Sequence, residues 1–212
     1  MKNLVFIGMI GSQMKSVAQK AADKLGRKFV DTDEVLTRNI GMSLHELYTL
    51  FPLDSFRDIT YRLASQLSQG EDYVIAVGDS ILKNADAVNA LKETAFTVYI
   101  QQDVDSIAAD CTEPSHPLLA RGLHRLYELF DERAELFLDY SDITVAFSEK
   151  AADEVIQHYN NNISEKTDYD PALHAFFRYY IESKYPTADS LSFADECAEV
   201  VVKILEKHIP KE

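Results

Sequence analysis

Short apolar runs alternate with longer amphipathic stretches along most of the chain, and this alternation restricts the fold more than any other feature. Runs rich in β-branched and aromatic residues predict five strands, at Leu4–Ile7, Lys28–Asp31, Tyr73–Val77, Phe96–Ile100 and Ile143–Phe147. Between them, Ser16–Leu25 and Phe56–Leu67 carry apolar residues at helical spacing. The sequence therefore predicts an α/β fold with a five-stranded parallel sheet and helices on both faces.

The chain after Phe147 is predicted to be helical. Glu149–Tyr159 has helical periodicity, the three asparagines at 160–162 predict a polar turn, and further helices are predicted at Pro171–Lys184 and Ser192–His208. The Pro171–Lys184 helix carries an aromatic stripe. This stripe suits packing on the sheet or on a neighbouring helix, and it also suits a subunit interface, so a monomer and a homodimer both stay open.

Three of the predicted strands end in residues that suit a binding site. Gly8, Asp31 and Gly78 each stand at the carboxyl end of a strand. In open parallel sheets, ligands bind beyond the carboxyl ends of the strands. We therefore expect these three positions to converge on one site.

The segment after the first strand, GMIGSQMKS, approaches the phosphate-binding loop G-x-x-x-x-G-K-[ST]. In that loop backbone N–H groups surround a phosphate, the lysine meets its outer oxygens and the hydroxyl holds magnesium. Counted from Gly8, the glycine position holds Gln13, the lysine position Met14 and the hydroxyl position Lys15. One step along a helix rotates a side chain by about 100°, so Lys15 and Ser16 stand one residue late on another face. Two interpretations stay open: a relic of a phosphate loop, or a working loop shifted by one residue.

Charge and hydropathy exclude several classes of partner. A formal net charge of −14 argues against a nucleic-acid surface, which requires clustered lysines and arginines. No apolar run approaches the roughly 20 residues of a membrane span, and the N-terminus lacks a signal-peptide pattern. We therefore expect a cytoplasmic protein with neither nucleic acid nor a membrane as its partner. Cys111 and Cys197 lie far apart in the sequence and are expected to be free thiols.

Taken in order along the chain, these segments resemble the shikimate kinase family, small P-loop kinases related in fold to the nucleoside monophosphate kinases. The motifs that carry the resemblance are FIGMIGS, FVDTD, FRD, VIAVG, HPLL, and ER followed by DITV. The resemblance implies a three-layer P-loop kinase fold formed by residues 1–148 and 190–212, with a helical insertion at 149–189. It also implies phosphate transfer from ATP, with Mg²⁺, to shikimate in aromatic amino acid biosynthesis.

On the substrate side, the resemblance gives roles to five residues. Asp31 matches a residue near magnesium and the reacting hydroxyl, and Asp33 matches one that binds ring hydroxyls. Arg57 and Arg133 match two arginines that hold the shikimate carboxylate, and Gly78 lies at the substrate. Two guanidiniums suit a carboxylate because each presents parallel N–H donors. The alternative for each arginine is a local ion pair on a charged helix face, with the candidate partners Asp54, Asp58, Asp131 and Glu132.

On the nucleotide side, the resemblance places a set of residues at the phosphates: Gly8, Gly11, Ser12, Met14, Lys15, Ser16 and His116. His116 stands where the family has a lid arginine that contacts ATP. Asp79 and Ser80 stand where a G-G-G sequence lets backbone N–H groups approach the substrate and the transferred phosphate. Asp79 therefore brings a carboxylate to a position where negative charge is unfavourable.

These departures leave three hypotheses for the function. The first is a shikimate kinase-like protein that keeps a cleft for a shikimate-type hydroxy acid, transfers phosphate poorly or not at all, and needs no cofactor. The second is an active shikimate kinase that moves the ATP γ-phosphate to the 3-hydroxyl of shikimate, with Lys15 and Asp31 catalytic and with Ser16 and Asp31 as magnesium ligands. In the third, both substrate and donor have changed. Loss of one charged stabiliser of phosphoryl transfer costs about 10³ to 10⁵ in rate, so several losses together favour the first.

Overall fold

The structure is a computed structural model that describes residues 2–51, 53–110, 116–120 and 122–166, with all their side chains except those of residues 53, 54 and 163–166. At its centre is a five-stranded parallel sheet in the order β2-β3-β1-β4-β5. The strands are β1 (Asn3–Gly8), β2 (Lys28–Asp31), β3 (Tyr73–Ala76), β4 (Ala95–Gln101) and β5 (Ile143–Ala146). The predicted fold class and the five predicted strands are confirmed.

Helices follow the strands and cover both faces of the sheet. Leu4, Val5, Phe6 and Ile7 of β1 are all buried although successive side chains of a strand point to opposite faces. Within the described residues, short 3-10 turns lie at Leu53–Phe56 and Pro117–Leu119. The helices there are α1 (Met14–Leu25), α2 (Thr32–Ile40), α3 (Leu44–Leu50), α4 (Arg57–Ser68), α5 (Asp79–Leu82), α6 (Ala85–Lys92), α7 (Val104–Asp110), α8 (His124–Tyr140) and α9 (Ala151–Lys166).

The connection from β1 to α1 is a compact turn that depends on two glycines. Gly11 has a φ of 81°, which glycine adopts without the strain that a side chain brings. A Cβ atom on Gly8 would lie 2.8 Å from the Cβ of Met14, so only glycine permits this approach. The turn holds the beginning of α1 against the end of β1. It also starts the helix at Met14, two positions before the predicted Ser16.

The strand order brings the predicted site segments side by side. β2, β3 and β1 are consecutive in the sheet and parallel, so their carboxyl ends lie along one edge. Asp31 ends β2, Gly78 follows β3 and Gly8 ends β1. The fold therefore places the three predicted positions at the same edge, as the rule for parallel sheets requires.

The C-terminal part of the chain corrects one prediction and leaves others untested. α9 continues to Lys166, so the polar turn predicted at 160–162 is wrong. Asparagine in a helix interior costs less than about 0.7 kcal/mol relative to alanine, which is too little to end a helix. The predicted helices Pro171–Lys184 and Ser192–His208 and the two cysteines lie outside the described residues.

The chain divides into two compact units, Met1–Gln157 and His158–Glu212, and the second is described only over residues 158–166. The domain boundaries implied by the resemblance, at 148 and 190, stay a prediction. In the described part of the chain, no helix combines the length and the apolar character needed to cross a bilayer.

Candidate functional site

A cavity of about 370 Å³ lies at the carboxyl edge of the sheet. The β1–α1 turn forms one wall, and the start of α2, residues 77–79, Leu44 and His116 form the rest. Concave sites of this kind bind small molecules in other proteins. Eight of the residues predicted for the site line it: Gly8, Gly11, Ser12, Met14, Lys15, Asp33, Gly78 and His116. Their individual roles stay predictions.

Backbone N–H groups at the beginning of α1 are bound by acceptors of the chain itself. The N–H of Gln13 donates to Oε1 of Gln102 at 2.9 Å, and the N–H of Met14 lies 3.4 Å from Oγ of Ser12. Gln102 is buried and follows β4, the strand beside β1. In a phosphate-binding loop the N–H groups of this turn point at the phosphate. Here two of them already have acceptors within the chain.

Lys15 reaches across from α1 to the acidic residues at the end of β2. Its Nζ lies 2.8 Å from Oδ2 of Asp31 and 3.3 Å from Oδ2 of Asp33. Burial lowers the pKa of Lys15, but the charges of Asp33 and Asp31 outweigh burial and the pKa is raised. Lys15 therefore carries a positive charge that bridges the two carboxylates.

Both oxygens of Asp31 are occupied. Its Oδ1 accepts from the N–H of Asp33 at 2.9 Å and from the N–H of Glu34 at 3.4 Å, which caps the N-terminus of α2, while Oδ2 faces Lys15. Asp33 is buried, and this burial raises the pKa of its carboxyl against the opposing charge of Lys15. The two aspartates thus form one ionic cluster with Lys15.

Gly78 makes room for the Asp33 carboxylate. A Cβ atom at position 78 would lie 1.8 Å from Oδ1 of Asp33. The N–H of Gly78 donates to Oγ1 of Thr32 at 2.8 Å, which ties the end of β3 to the start of α2. Because residue 78 has no side chain, the Asp33 carboxylate can lie close to the backbone at the carboxyl end of β3.

Asp79 and Arg133 form an ion pair in the interior. Oδ1 of Asp79 lies 2.7 Å from NH1 of Arg133, and the two side chains are 2% and 1% exposed. Burial raises the pKa of Asp79, and the charge of Arg133 opposes that rise. Arg133 lies on α8 and Asp79 begins α5, directly beside Gly78. Arg133 therefore binds neither Asp131 nor Glu132, its predicted local partners, and Glu132 accepts from Arg125 instead.

Arg57 lies apart from Arg133. Its NH2 is 2.7 Å from Oδ2 of Asp86, and both side chains of this pair are exposed. Arg57 borders a separate surface depression between α4 and α6 rather than the cavity that contains Lys15. The two arginines predicted to hold one carboxylate thus have different partners, Asp86 at the surface and Asp79 in the interior.

His116 is held as a neutral imidazole. Its Nδ1 lies 3.3 Å from the backbone N–H of Leu118, so that nitrogen accepts a hydrogen bond and carries no proton. Burial lowers the pKa of His116 to about 4, and the charges of Arg133 and Lys15 act in the same direction. At neutral pH this position supplies no positive charge to the cavity.

The resemblance implies Mg²⁺ and ATP, and the geometry permits a test of that fit. Magnesium requires oxygen ligands in near-octahedral geometry. The Oδ2 atoms of both aspartates instead face the ammonium of Lys15. Lys15 also stands at the position where a phosphate-binding loop has its magnesium-binding hydroxyl. Ser16, the next residue, is exposed and does not line the cavity. In the described ranges no cluster of three or more His, Cys, Asp or Glu residues could hold a metal. This arrangement does not fit a magnesium ion.

Two site residues escaped the sequence analysis. Gln102 follows β4 just as Gly78 follows β3, so the strand-end rule could have identified it. Tyr48 was not predicted because it lies on the short helix α3 and belongs to none of the motifs, yet its ring contacts that of His116 at a centroid distance of 5.6 Å. Only the tertiary fold brings it beside His116, which lines the cavity.

Comparisons with known proteins agree with this fold and cover most of the chain. The sequence model described as shikimate kinase matches residues 12–164. A shikimate kinase of Thermodesulfovibrio yellowstonii is 29% identical over 173 residues, which cover 79% of this chain and 100% of that protein.

Two solved structures are similar in fold. A shikimate kinase from Aquifex aeolicus superposes with a TM-score of 0.61 at 25% identity, covering 78% of this chain and 98% of that one. A shikimate kinase from Acinetobacter baumannii in complex with shikimate superposes with a TM-score of 0.69 at 22% identity, covering 78% and 95%.

Proposed function

Since the chain belongs to the shikimate kinase family, we propose that it binds a small hydroxylated molecule of shikimate's size in this cavity and transfers phosphate to it poorly or not at all. The family resemblance implies ATP and Mg²⁺, and the shikimate kinase from Acinetobacter baumannii was solved in complex with shikimate. The protein would thus still bind the small hydroxylated ligand but would not bind ATP and Mg²⁺ productively. Such a protein would act through binding, as a sensor or a regulatory partner.

The observation that carries the proposal is the ammonium of Lys15 between Asp31 and Asp33. In P-loop enzymes a hydroxyl at this helix position and an acidic residue hold magnesium near the transferred phosphate. An ammonium at the same place neutralises the carboxylates but cannot coordinate them and the phosphate oxygens together, as a metal ion does. Loss of one charged stabiliser of phosphoryl transfer costs about 10³ to 10⁵ in rate.

The β1–α1 turn supports the same conclusion. Met14, at the lysine position, is a buried apolar side chain, and Gln102 is the acceptor for the Gln13 N–H. Binding of a phosphate would have to displace Gln102, because an N–H that already has a good acceptor gains little from a second one. Neutral His116 adds no charge to compensate.

On the ligand side, Asp33 supplies hydrogen-bond acceptors at the cavity wall. Its carboxylate is fixed by Lys15 and by the close approach to Gly78. A carboxylate held in this way accepts from neighbouring hydroxyls of a ligand and so fixes the orientation of a polyol. Lys15, which also lines the cavity, can donate to a further hydroxyl.

Two measurements on the whole chain test the proposal. We expect calorimetric titration with shikimate-sized polyols to give heat and titration with Mg-ATP to give none. We also expect no ADP release above background in a coupled assay with shikimate. Lys24→Met serves as the control for Lys15→Met, because Lys24 lies on the same helix and pairs with Asp153 at the surface. Turnover that disappears in Lys15→Met and survives in Lys24→Met would establish the alternative, an active shikimate kinase that transfers the ATP γ-phosphate to the 3-hydroxyl.

A further inference from the structure

We infer that Asp79 determines which charge the ligand carries. Because Asp79 supplies the anion that Arg133 requires, the cavity binds a hydroxylated molecule without a carboxylate, either uncharged or cationic. This rests on the proposed function, that a small ligand binds in the cavity. It replaces the hydroxy acid expected from the sequence with a polyol or an amino polyol.

Arg133 lies in the interior of the protein. Its side chain is 1% exposed, and a guanidinium remains charged at every physiological pH. A buried charge without a counter-ion is strongly unfavourable, so the position demands an anion. Asp79 is that anion at 2.7 Å, and its place at the first position of α5, directly after Gly78, fixes it to the wall of the cavity.

The charges that face the cavity also disfavour a ligand carboxylate. Among the described residues, its lining contains one cationic side chain, Lys15, and two carboxylates, Asp33 and Asp79, while His116 is neutral because burial lowers its pKa. Lys15 is already bound to Asp33 and Asp31. Since Arg133 is likewise paired with Asp79, a ligand carboxylate would find no unoccupied cation among the described residues of the lining, whereas an ammonium or a hydroxyl could donate to Asp33.

Several buried polar atoms of the described residues around Asp79 lack aligned hydrogen bonds. In the described part of the chain, the buried side-chain atoms without an aligned hydrogen bond include both carboxylate oxygens of Asp79, the three guanidinium nitrogens of Arg133 and the hydroxyl of Tyr48. The pKa of Tyr48 is raised by burial and then by the charges of Asp79 and Asp33, so its hydroxyl keeps its proton. Buried polar atoms normally find partners. The Asp79 oxygens and the Arg133 nitrogens belong to one ion pair, and the described cavity lining includes Asp79 but not Arg133, so no guanidinium donor is offered to a ligand carboxylate.

The experiment compares three ring compounds with the same hydroxyls: shikimate, its methyl ester, and the counterpart in which an aminomethyl group replaces the carboxylate. Calorimetry measures their binding to the wild type, to Asp79→Asn, and to Asp131→Asn as the matched control. Asp131 is an exposed aspartate on the same helix as Arg133 and outside the cavity lining. We expect the wild type and Asp131→Asn to bind the ester and the amine at least about tenfold more tightly than shikimate. We expect Asp79→Asn to reverse this order, because Arg133 then lacks its anion.

The outcomes distinguish a failure of the inference about ligand charge from a failure of the proposed function. Tighter binding of shikimate by the wild type, or an unchanged order in Asp79→Asn, would overturn the inference and leave the proposed function standing. Failure of all three compounds to bind the wild type would remove the proposed function, and the inference with it. Since Asp79→Asn risks failure to fold, the order of affinities in the wild type is sufficient to decide.

A rescue experiment tests the anion position directly. Acetate consists of the same atoms as an aspartate side chain, so it can occupy the space that Asp79→Gly leaves beside Arg133. We expect sodium acetate to raise the Tm of Asp79→Gly more than sodium chloride of equal ionic strength, with no such difference for the wild type or for Asp131→Gly. Equal effects of the two salts on Asp79→Gly would contradict an anion site at Arg133.

Discussion

The ammonium of Lys15 lies 2.8 Å from the Asp31 carboxylate, although Met14, one position earlier, is the residue that stands in the lysine position of a phosphate-binding loop. The shift by one residue turns the positive charge toward the acidic end of β2 and away from the turn. Met14 is buried, so the turn itself carries no cation. An ammonium thus lies beside the carboxylates where a phosphate-binding loop would hold a magnesium ion.

Lys15→Ser should create a magnesium site, because it removes the ammonium from Asp31 and Asp33 and restores a hydroxyl at that helix position. The substitution alone should lower the free energy of unfolding by about 0.5–1 kcal/mol, since Lys15 is half exposed. Magnesium at about tenfold its Kd should then raise the free energy of unfolding of this variant by about 1.4 kcal/mol. Thermal unfolding with magnesium chloride measures both effects. Lys24→Ser is the control, and a magnesium-dependent Tm in the wild type would contradict the prediction.

Gln102→Met should destabilise the β1–α1 turn. It removes the acceptor of the Gln13 N–H, and a buried donor without a partner costs about 1–3 kcal/mol. Gln101→Met provides the comparison, because the neighbouring Gln101 side chain is exposed. Urea unfolding gives the difference in free energy. Inorganic phosphate should raise the Tm of Gln102→Met more than that of the wild type, and equal shifts would mean that Gln102 does not occupy an anion position.

Gly78→Ala should be more costly than an ordinary glycine substitution. Its Cβ would lie 1.8 Å from the Asp33 carboxylate, which is buried and held by Lys15 and therefore cannot turn aside freely. Overpacking of this kind costs about 1–3 kcal/mol. Gly70→Ala also brings a Cβ close to a side chain, 2.3 Å from Cε2 of Tyr73, but that ring can rotate. Denaturant unfolding should rank Gly78→Ala as the less stable variant, and the opposite rank would contradict a fixed Asp33.

Stability should fall in mild acid because of His116. Its folded-state pKa of about 4 lies below the ordinary value of 6.5, so the unfolded chain binds more protons between those two pH values. The contribution of His116 is therefore complete above pH 6.5 and is lost as the pH falls toward 4, by up to about 3 kcal/mol. His116→Asn keeps a side-chain acceptor for the Leu118 N–H without a titrating group. Unfolding followed across this pH range should show a smaller loss for His116→Asn, and parallel curves would contradict the assignment.

The strands were predictable because their signal is local. Each apolar run is shorter than a helix, and in β1 it is buried on both faces, so periodicity and length identify it without knowledge of its neighbours. The beginning of α1 was less predictable since it has no side-chain cap, and the signals that mark a helix start in sequence are missing at Gln13.

The ion pairs of the site were not predictable, because they join residues that are distant in sequence. Asp131 and Glu132 are neighbours of Arg133 in the chain, but residues one and two positions apart on a helix do not face each other. Asp79 faces Arg133 only because α5 and α8 meet in the folded chain. The placement of Gly8, Asp31 and Gly78 at one edge of the sheet was predictable, since it follows from the parallel sheet alone.

The hydrogen bond between Gln102 and the Gln13 N–H has a consequence for the protein inside a cell. A loop shaped by a dissolved anion loses order whenever that anion becomes scarce, because occupancy follows concentration. An acceptor that belongs to the same chain cannot be diluted away, and its effective concentration at the turn is fixed by covalent connection. The shape of this turn should therefore not change with the concentration of phosphate or nucleotide around the protein.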